Sequence, residues 1–107
     1  MSEVIKWNSR DATLRLRGRV TIADADDLLA GARKAARAKR PPTIVADELE
    51  HLDTAGAQVL LTLRHALRAA GRDLQWRGLP DPVRAYLASG GFLTPLGVAS
   101  PQLEPNR

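Results

Sequence analysis

The chain has 107 residues, with no cysteine, 44% hydrophobic and 26% charged residues, and a formal net charge of +4 at pH 7. This composition predicts one soluble globular domain with a modest core, and the lack of cysteine excludes disulfides, thiolate metal sites and a cysteine nucleophile. No apolar run approaches the roughly 20 residues of a membrane helix, and no signal-peptide pattern is present. We therefore expect a cytoplasmic protein that does not insert into a membrane.

The first predicted element is a β-hairpin. Residues 3–7 can form a short strand, and residues 13–17 alternate apolar with polar or basic side chains, as a half-buried strand does. The polar residues 8–11 between them are typical of a turn. Gly18 is expected to end the second strand.

A helix is predicted next. Its apolar residues step by three and four, and they are Ile22, Ala25, Leu29, Ala32 and Ala36. Thr21 or Asp24 is expected to cap its start, and the helix must end before Pro41 because a residue that precedes proline is pushed out of helical conformation. Acids at the start and bases at the end suit a helix dipole, so we interpret the basic run at 33–40 as a solvated helix end rather than a phosphate-binding patch.

The middle of the chain predicts a strand and a second helix. Residues 43–46 read as a short buried strand, and the charged residues 47–51 as a solvated loop. Asp53 is expected to cap the second helix, and Gly71 to stop it. The apolar stripe of this helix is Val59, Leu60, Leu63, Leu67 and Ala70.

The last third predicts a strand at 73–77 and a short helix at 81–88 that Asp81 can cap. Tyr86 and Leu87 are expected to pack on the sheet. Strands that alternate with helices predict parallel pairing. The fold class is therefore α/β, with a mixed sheet of four or five strands flanked by about four helices, in one domain over 1–100 with a flexible tail over 101–107.

No catalytic or metal-binding motif stands out. No serine lies in a nucleophile elbow, and Gly90-Gly91 lacks the lysine that follows in a phosphate loop. His51 and His65 lack the spacing of helical metal ligands, and the acids at 47–53 are interpreted as solvated rather than as acid/base catalysts. We therefore predict no enzyme activity, no metal and no cofactor.

The most informative segment is Asp53-Thr54-Ala55-Gly56, where the chain enters the second helix. A phosphate on Thr54 would lie near the positive end of the helix dipole, so the fold could tolerate it. The small residues Ala55 and Gly56 would let another surface approach. Two interpretations stay open, a phosphorylation switch and a plain helix cap.

A basic stripe offers a different hypothesis. Arg64, Arg68 and Arg72 have i, i+4 spacing and could contact nucleic acid in a salt-sensitive manner. A solvated helix face is the favoured interpretation. We therefore expect no nucleic-acid partner.

The segment from Val45 to Leu60 resembles the signature of STAS domains, a family that takes its name from sulfate transporters and anti-sigma factor antagonists. Leu16 to Ile22 resembles the family's Gly-x-Leu-Asp element before the first helix. The chain departs from the family pattern at Thr21, where the family often has Asp, at Val45, where it often has an acid, and at Ala55, the position of a second hydroxyl.

The resemblance implies a non-catalytic regulatory domain that binds an anti-sigma factor. That partner is a serine/threonine kinase in antagonists of the family, and it would phosphorylate the motif hydroxyl, here Thr54. The partner-binding residues implied are Asp53, Thr54, Ala55, Gly56, Gln58, Thr21 and Asp24.

Two other branches of the family remain open. The Asp-Thr-Ala-Gly form also resembles the STAS subunit of the bacterial phospholipid-transport ABC complex, which binds the ATPase subunit. Thr21-Ile22 resembles stand-alone STAS proteins of chemotaxis-type signalling. The sequence leaves the oligomeric state undetermined.

Overall fold

The computed structural model describes residues 4–98. The strands are β1 (Ile5–Asn8), β2 (Thr13–Val20), β3 (Thr43–Leu52) and β4 (Gln75–Arg77). The helices are α1 (Ala25–Ala36), α2 (Thr54–Ala69), α3 (Asp81–Ser89) and α4 (Leu93–Leu96), and a short 3₁₀ helix (Ile22–Asp24) precedes α1. The predicted tail at 101–107 and the end of the predicted domain lie outside these residues.

The four strands form one mixed sheet in the order β1-β2-β3-β4. β1 pairs antiparallel with β2, and β2 with β3 and β3 with β4 pair in parallel. The predicted α/β class, the hairpin and the parallel pairing are confirmed. Two register shifts interrupt the β2–β3 pair, which ends with Val20 opposite Leu52. The starts of the following helices are therefore neighbours.

One face of the sheet builds the core. In β2, Leu14 and Leu16 have no exposed surface, whereas the alternating Arg15 and Arg17 reach solvent. The helices bury Leu28, Leu60, Leu63, Leu67, Val83 and Leu87 in the same apolar cluster. Burial of this area supplies the main driving force for folding.

β2 and β3 are longer than the residue pattern predicts. β3 continues through the charged residues 47–51, which were expected to form a loop. Asp47 pairs with Arg15 (3.3 Å) and Glu48 with Arg17 (2.9 Å) across the exposed face of the sheet. These cross-strand ion pairs suit the two acids to a position within the strand. Gly18 was expected to end β2, but it lies within the strand. It adopts φ +63° there, between the two register shifts.

The helices also differ in detail from the prediction. The buried face of α1 is Leu28, Gly31, Ala32 and Ala35, so the predicted stripe is rotated and Ile22 lies 73% exposed. In α2, Leu60, Leu63 and Leu67 are buried as predicted, but Ala70 is the exposed residue directly after the helix. Pro80 rather than Asp81 is the N-cap of α3, and Tyr86 is 43% exposed while Leu87 is buried.

Candidate functional site

The candidate site lies where β2 and β3 end side by side. Val20 and Leu52 are register partners, and the Asp53 N–H donates to the Val20 carbonyl over 3.1 Å. The chain turns into the 3₁₀ helix after Val20 and into α2 after Leu52. Two helix starts are thereby placed together at one end of the sheet.

Asp53 joins these two helix starts. Its Oδ1 accepts the Gly56 N–H at 3.0 Å, which caps α2 as predicted. Its Oδ2 accepts the Ile22 N–H at 2.9 Å, although Ile22 lies 31 residues earlier. Both carboxylate oxygens are therefore used to fix the backbone.

Thr21 and Asp24 hold the first helix start. The Thr21 hydroxyl accepts the Ala23 N–H at 3.3 Å, and Asp24 Oδ2 accepts the Thr21 N–H at 2.9 Å. This reciprocal arrangement is a capping box. Thr21 is thus the cap of the 3₁₀ helix, whereas the Asp24 side chain makes no cap bond to α1.

Thr54 and Gln58 present side chains to solvent on one face of α2. Thr54 is the first residue of the helix and is exposed, and Gln58 is exposed one turn later. Within residues 4–98, the Thr54 hydroxyl takes part in no hydrogen bond. Ala55 between them is half-buried. The hydroxyl is therefore accessible for a contact or a modification.

Ile22 is the residue of this site that the pattern misplaced. Its side chain is 73% exposed, and its backbone N–H is tied to the residue directly before Thr54. The helical periodicity assigned Ile22 to the core. The Thr21-x-x-Asp24 pattern was the signal that could have placed it correctly, because a capping box at Thr21 fixes the start of the helical turn.

Gly56 is the motif residue that was expected to give a partner close access to its backbone. It is buried, and a Cβ at this position would lie 2.6 Å from Leu52 Cδ1 and 3.5 Å from Val20 Cγ1. The absence of a side chain therefore lets α2 approach the sheet closely. The role of Gly56 is in packing under the site.

The three arginines of the predicted basic stripe contact other parts of the protein. Arg64 forms two hydrogen bonds with Asp73, at 2.9 and 3.2 Å, and donates to the Pro95 carbonyl at 2.8 Å. The hydrogen bond from Arg64 lowers the pKa of the Asp73 carboxyl, and the same bond raises the pKa of Arg64. Arg68 also pairs with Asp73, and Arg72 binds carbonyls at the end of α1. These contacts are structural.

The remaining polar groups form no metal centre in the part of the chain described. There, no three His, Asp or Glu side chains converge as metal ligands would. His51 instead contacts the Tyr86 ring edge to face, with ring centroids 4.8 Å apart. Among residues 4–98, no helix has the length and apolar character needed to cross a bilayer.

The chain matches a known protein family. A family model described as "Mlab, STAS domain" matches residues 4–97. STAS domains are generally non-catalytic and have regulatory or binding roles. A comparison with curated proteins found no match. Because the family model spans nearly the whole chain, the protein belongs to the STAS domain family.

Proposed function

We propose that this chain is a non-catalytic regulatory protein that binds a partner protein through the end of the sheet that carries Ile22 and Thr54. We name this region the docking surface. Its residues are Thr21, Ile22, Asp24, Thr54, Ala55 and Gln58, with Asp53 beneath them. The observation that carries the proposal is the 73% exposed Ile22 side chain, fixed through its backbone beside the exposed Thr54.

The geometry suits binding because the surface is ordered before a partner arrives. The capping box and the two Asp53 hydrogen bonds hold both helix starts. An apolar anchor held in place in this way loses little conformational entropy on association. No group in the docking surface forms an acid/base or nucleophilic pair, which supports a binding role over catalysis.

The partner we favour is the ATPase subunit of a phospholipid-transport ABC complex. The Asp-Thr-Ala-Gly form of the motif supports this choice, since it resembles the STAS subunit of that complex. The matching family also carries the Mlab description. Ala55 removes the second hydroxyl of the motif and leaves a half-buried methyl group, which suits a permanent contact. The expected complex is constitutive and does not depend on phosphorylation.

A second candidate partner is an anti-sigma factor with kinase activity. The accessible Thr54 hydroxyl at the N-terminus of α2 supports it. A phosphate there would gain from the helix dipole but would lie beside the Asp53 carboxylate. A partner seated on the docking surface would have to desolvate that added charge, so phosphorylation would release it.

Purification of the tagged protein from its native cells, with mass measurement of the Thr54 peptide, tests both candidates. A transporter ATPase recovered with an unmodified peptide supports the first. A kinase recovered with a population about 80 Da heavier supports the second. Recovery of neither protein contradicts both.

A pair of matched variants tests the surface itself. Thr54→Glu should abolish recovery of the partner, because it places a charge in the contact. Thr62→Glu makes the same change two turns along α2 at another exposed threonine and should leave recovery intact. Normal recovery with Thr54→Glu would contradict the proposed docking surface.

A further inference from the structure

A second surface feature lies at the opposite end of α1 from the docking surface. There the β-hairpin and the segment after α1 enclose an open cavity of about 390 Å³. Its walls include Trp7 and Ser9 from the hairpin, and Lys34, Arg37, Lys39 and Arg40 from the helix end and the segment that follows. We name it the hairpin cavity. The 12 residues of α1 separate it from the docking surface by ~18 Å.

The charge of the hairpin cavity is of one sign. Four cations line it, and no carboxylate does. Among residues 4–98, no salt bridge reaches Lys34, Arg37 or Lys39, and Arg40 donates to the Arg10 carbonyl. Like charges that line one cavity repel one another, so an anion bound in the cavity would relieve that repulsion.

The helix dipole accounts for only part of this cluster. Cations near a helix C-terminus satisfy its free carbonyls, but Arg72 already donates to the carbonyls of Ala36 and Ala38. Lys39 and Arg40 also lie beyond the C-cap residue, Arg37. The structure therefore contains more cations at this position than the end of α1 requires.

Trp7 gives the cavity an aromatic wall. Its ring is half-buried, and part of it packs on the hydrophobic core. Ser9 is exposed and adds a hydroxyl near the mouth. Lys and Arg side chains suit a phosphate group, and an indole ring suits a flat or apolar group. The two parts of one ligand can therefore bind next to each other here.

We propose that the hairpin cavity binds a phosphate-bearing ligand, with the phosphate among Lys34, Arg37 and Lys39 and an apolar or planar part against Trp7. A soluble phosphate ester and a phospholipid headgroup share this chemistry. The proposal is independent of the docking surface, because no residue belongs to both.

Proton–nitrogen NMR of the indole N–H groups tests the site directly. The protein is titrated with inorganic phosphate and with adenosine monophosphate. The Trp7 indole signal should shift in a saturable manner. The Trp76 signal should stay in place, because Trp76 lies on β4 and donates to the Leu96 carbonyl outside the cavity. Cosedimentation with vesicles tests whether the phosphate comes from a lipid headgroup. Vesicles that contain phosphatidylglycerol are compared with vesicles of pure phosphatidylcholine.

Charge-reversal variants separate this site from general electrostatic attraction. Lys34→Glu/Arg37→Glu should weaken binding by about tenfold or more, since each cation offers a charged hydrogen bond. Arg33→Glu/Arg77→Glu changes the net charge equally at exposed positions outside the cavity and should leave affinity nearly unchanged.

Each outcome decides the proposal. A shift of Trp7 with soluble phosphate, lost in the cavity variant only, supports a soluble ligand, and the same pattern with anionic vesicles supports a headgroup. The absence of any saturable Trp7 shift and of vesicle binding in the wild-type protein overturns the proposal, even if the variants fail to fold. Equal losses in the two double variants overturn it as well.

Discussion

The carboxylate of Asp53 lies 2.9 Å from the backbone nitrogen of Ile22, a residue 31 positions earlier in the chain. The same side chain caps α2 through Gly56. One residue therefore determines how the exposed Ile22 and the exposed Thr54 are placed relative to each other. We expect the stability of this end of the sheet to depend on this pair of bonds.

Replacement of Asp53 tests that dependence. Asp53→Ala should lower the free energy of unfolding by about 1–3 kcal/mol, since it removes a helix cap and leaves the Ile22 N–H without its acceptor. Asp53→Asn keeps one acceptor oxygen and should lose less. Urea denaturation followed by circular dichroism gives both values, and a loss in Asp53→Ala no larger than in Asp53→Asn would contradict the double role.

Gly56→Ala should destabilise the protein, although alanine is the better helix former. The new Cβ would lie 2.6 Å from Leu52 Cδ1, and Leu52 is fully buried, so the core must shift. Overpacking of this kind costs about 1–3 kcal/mol, against a gain of about 1 kcal/mol in helix propensity. We expect a net loss in the free energy of unfolding, measured by urea denaturation.

Ala66→Gly is the companion to that measurement, because Ala66 is exposed in the same helix. It should lose about 0.5–1 kcal/mol from helix propensity alone. If Gly56→Ala instead raised stability, the close approach of α2 to the sheet would not be the reason for glycine at this position.

Ile22→Asp should weaken partner binding without unfolding the domain. The side chain is 73% exposed, so its replacement should change the free energy of unfolding by about 0.5 kcal/mol or less. An anchor residue of an interface typically accounts for about 2 kcal/mol or more of binding, which is over tenfold in affinity. Calorimetric titration with the recovered partner measures this loss.

Ala23→Asp serves as the control for Ile22→Asp, since it adds the same charge at the neighbouring exposed residue. It should have the smaller effect on affinity. Equal losses in the two variants would assign the effect to charge rather than to the loss of the apolar side chain.

The Arg64–Asp73 pair predicts a pH dependence of stability. The pKa of Asp73 is lower in the folded protein than its ordinary value, chiefly through the Arg64 hydrogen bond. Its contribution to stability is therefore fully present above about pH 4 and is lost as the pH falls through the lower folded pKa. The difference in unfolding free energy between wild type and Asp73→Asn should shrink from pH 5 to pH 2.

The size of this effect should be small, because the Asp73 side chain is 45% exposed and water screens the pair. Asp47→Asn, at an exposed ion pair on the sheet face, provides a comparison. A difference for Asp73→Asn that stayed constant across the acid range would contradict an ionised Asp73 as the source of the stabilisation.

Local pattern was sufficient for the order of the four strands and of α1 to α3, but it did not predict the 3₁₀ helix or α4. The helical period and the flanking Gly71 defined α2, and Pro41 marked the end of α1. The local pattern failed for the second half of β3, because the acidic residues there are typical of a loop. Their partners, Arg15 and Arg17, lie about 30 positions earlier and become visible only once β2 and β3 pair.

One part of the candidate site follows from local sequence, and another part depends on residues far apart in the chain. The Asp53 cap follows from its position before a helix, since the group it binds is three residues away. The bond from Ile22 to Asp53 could not be predicted, because it depends on the β2–β3 register after two shifts. Helical periodicity therefore assigns Ile22 to the core, whereas the structure leaves its side chain exposed.

The outer strands of the sheet have a consequence for self-assembly. β1 has four residues and β4 has three, so these two outermost strands themselves offer few free backbone groups to an added strand. Lys6 is exposed on β1 and would have to approach any incoming chain. An added strand could therefore pair with only a few residues of β1 or of β4, which disfavours a continuous sheet between copies through these two strands.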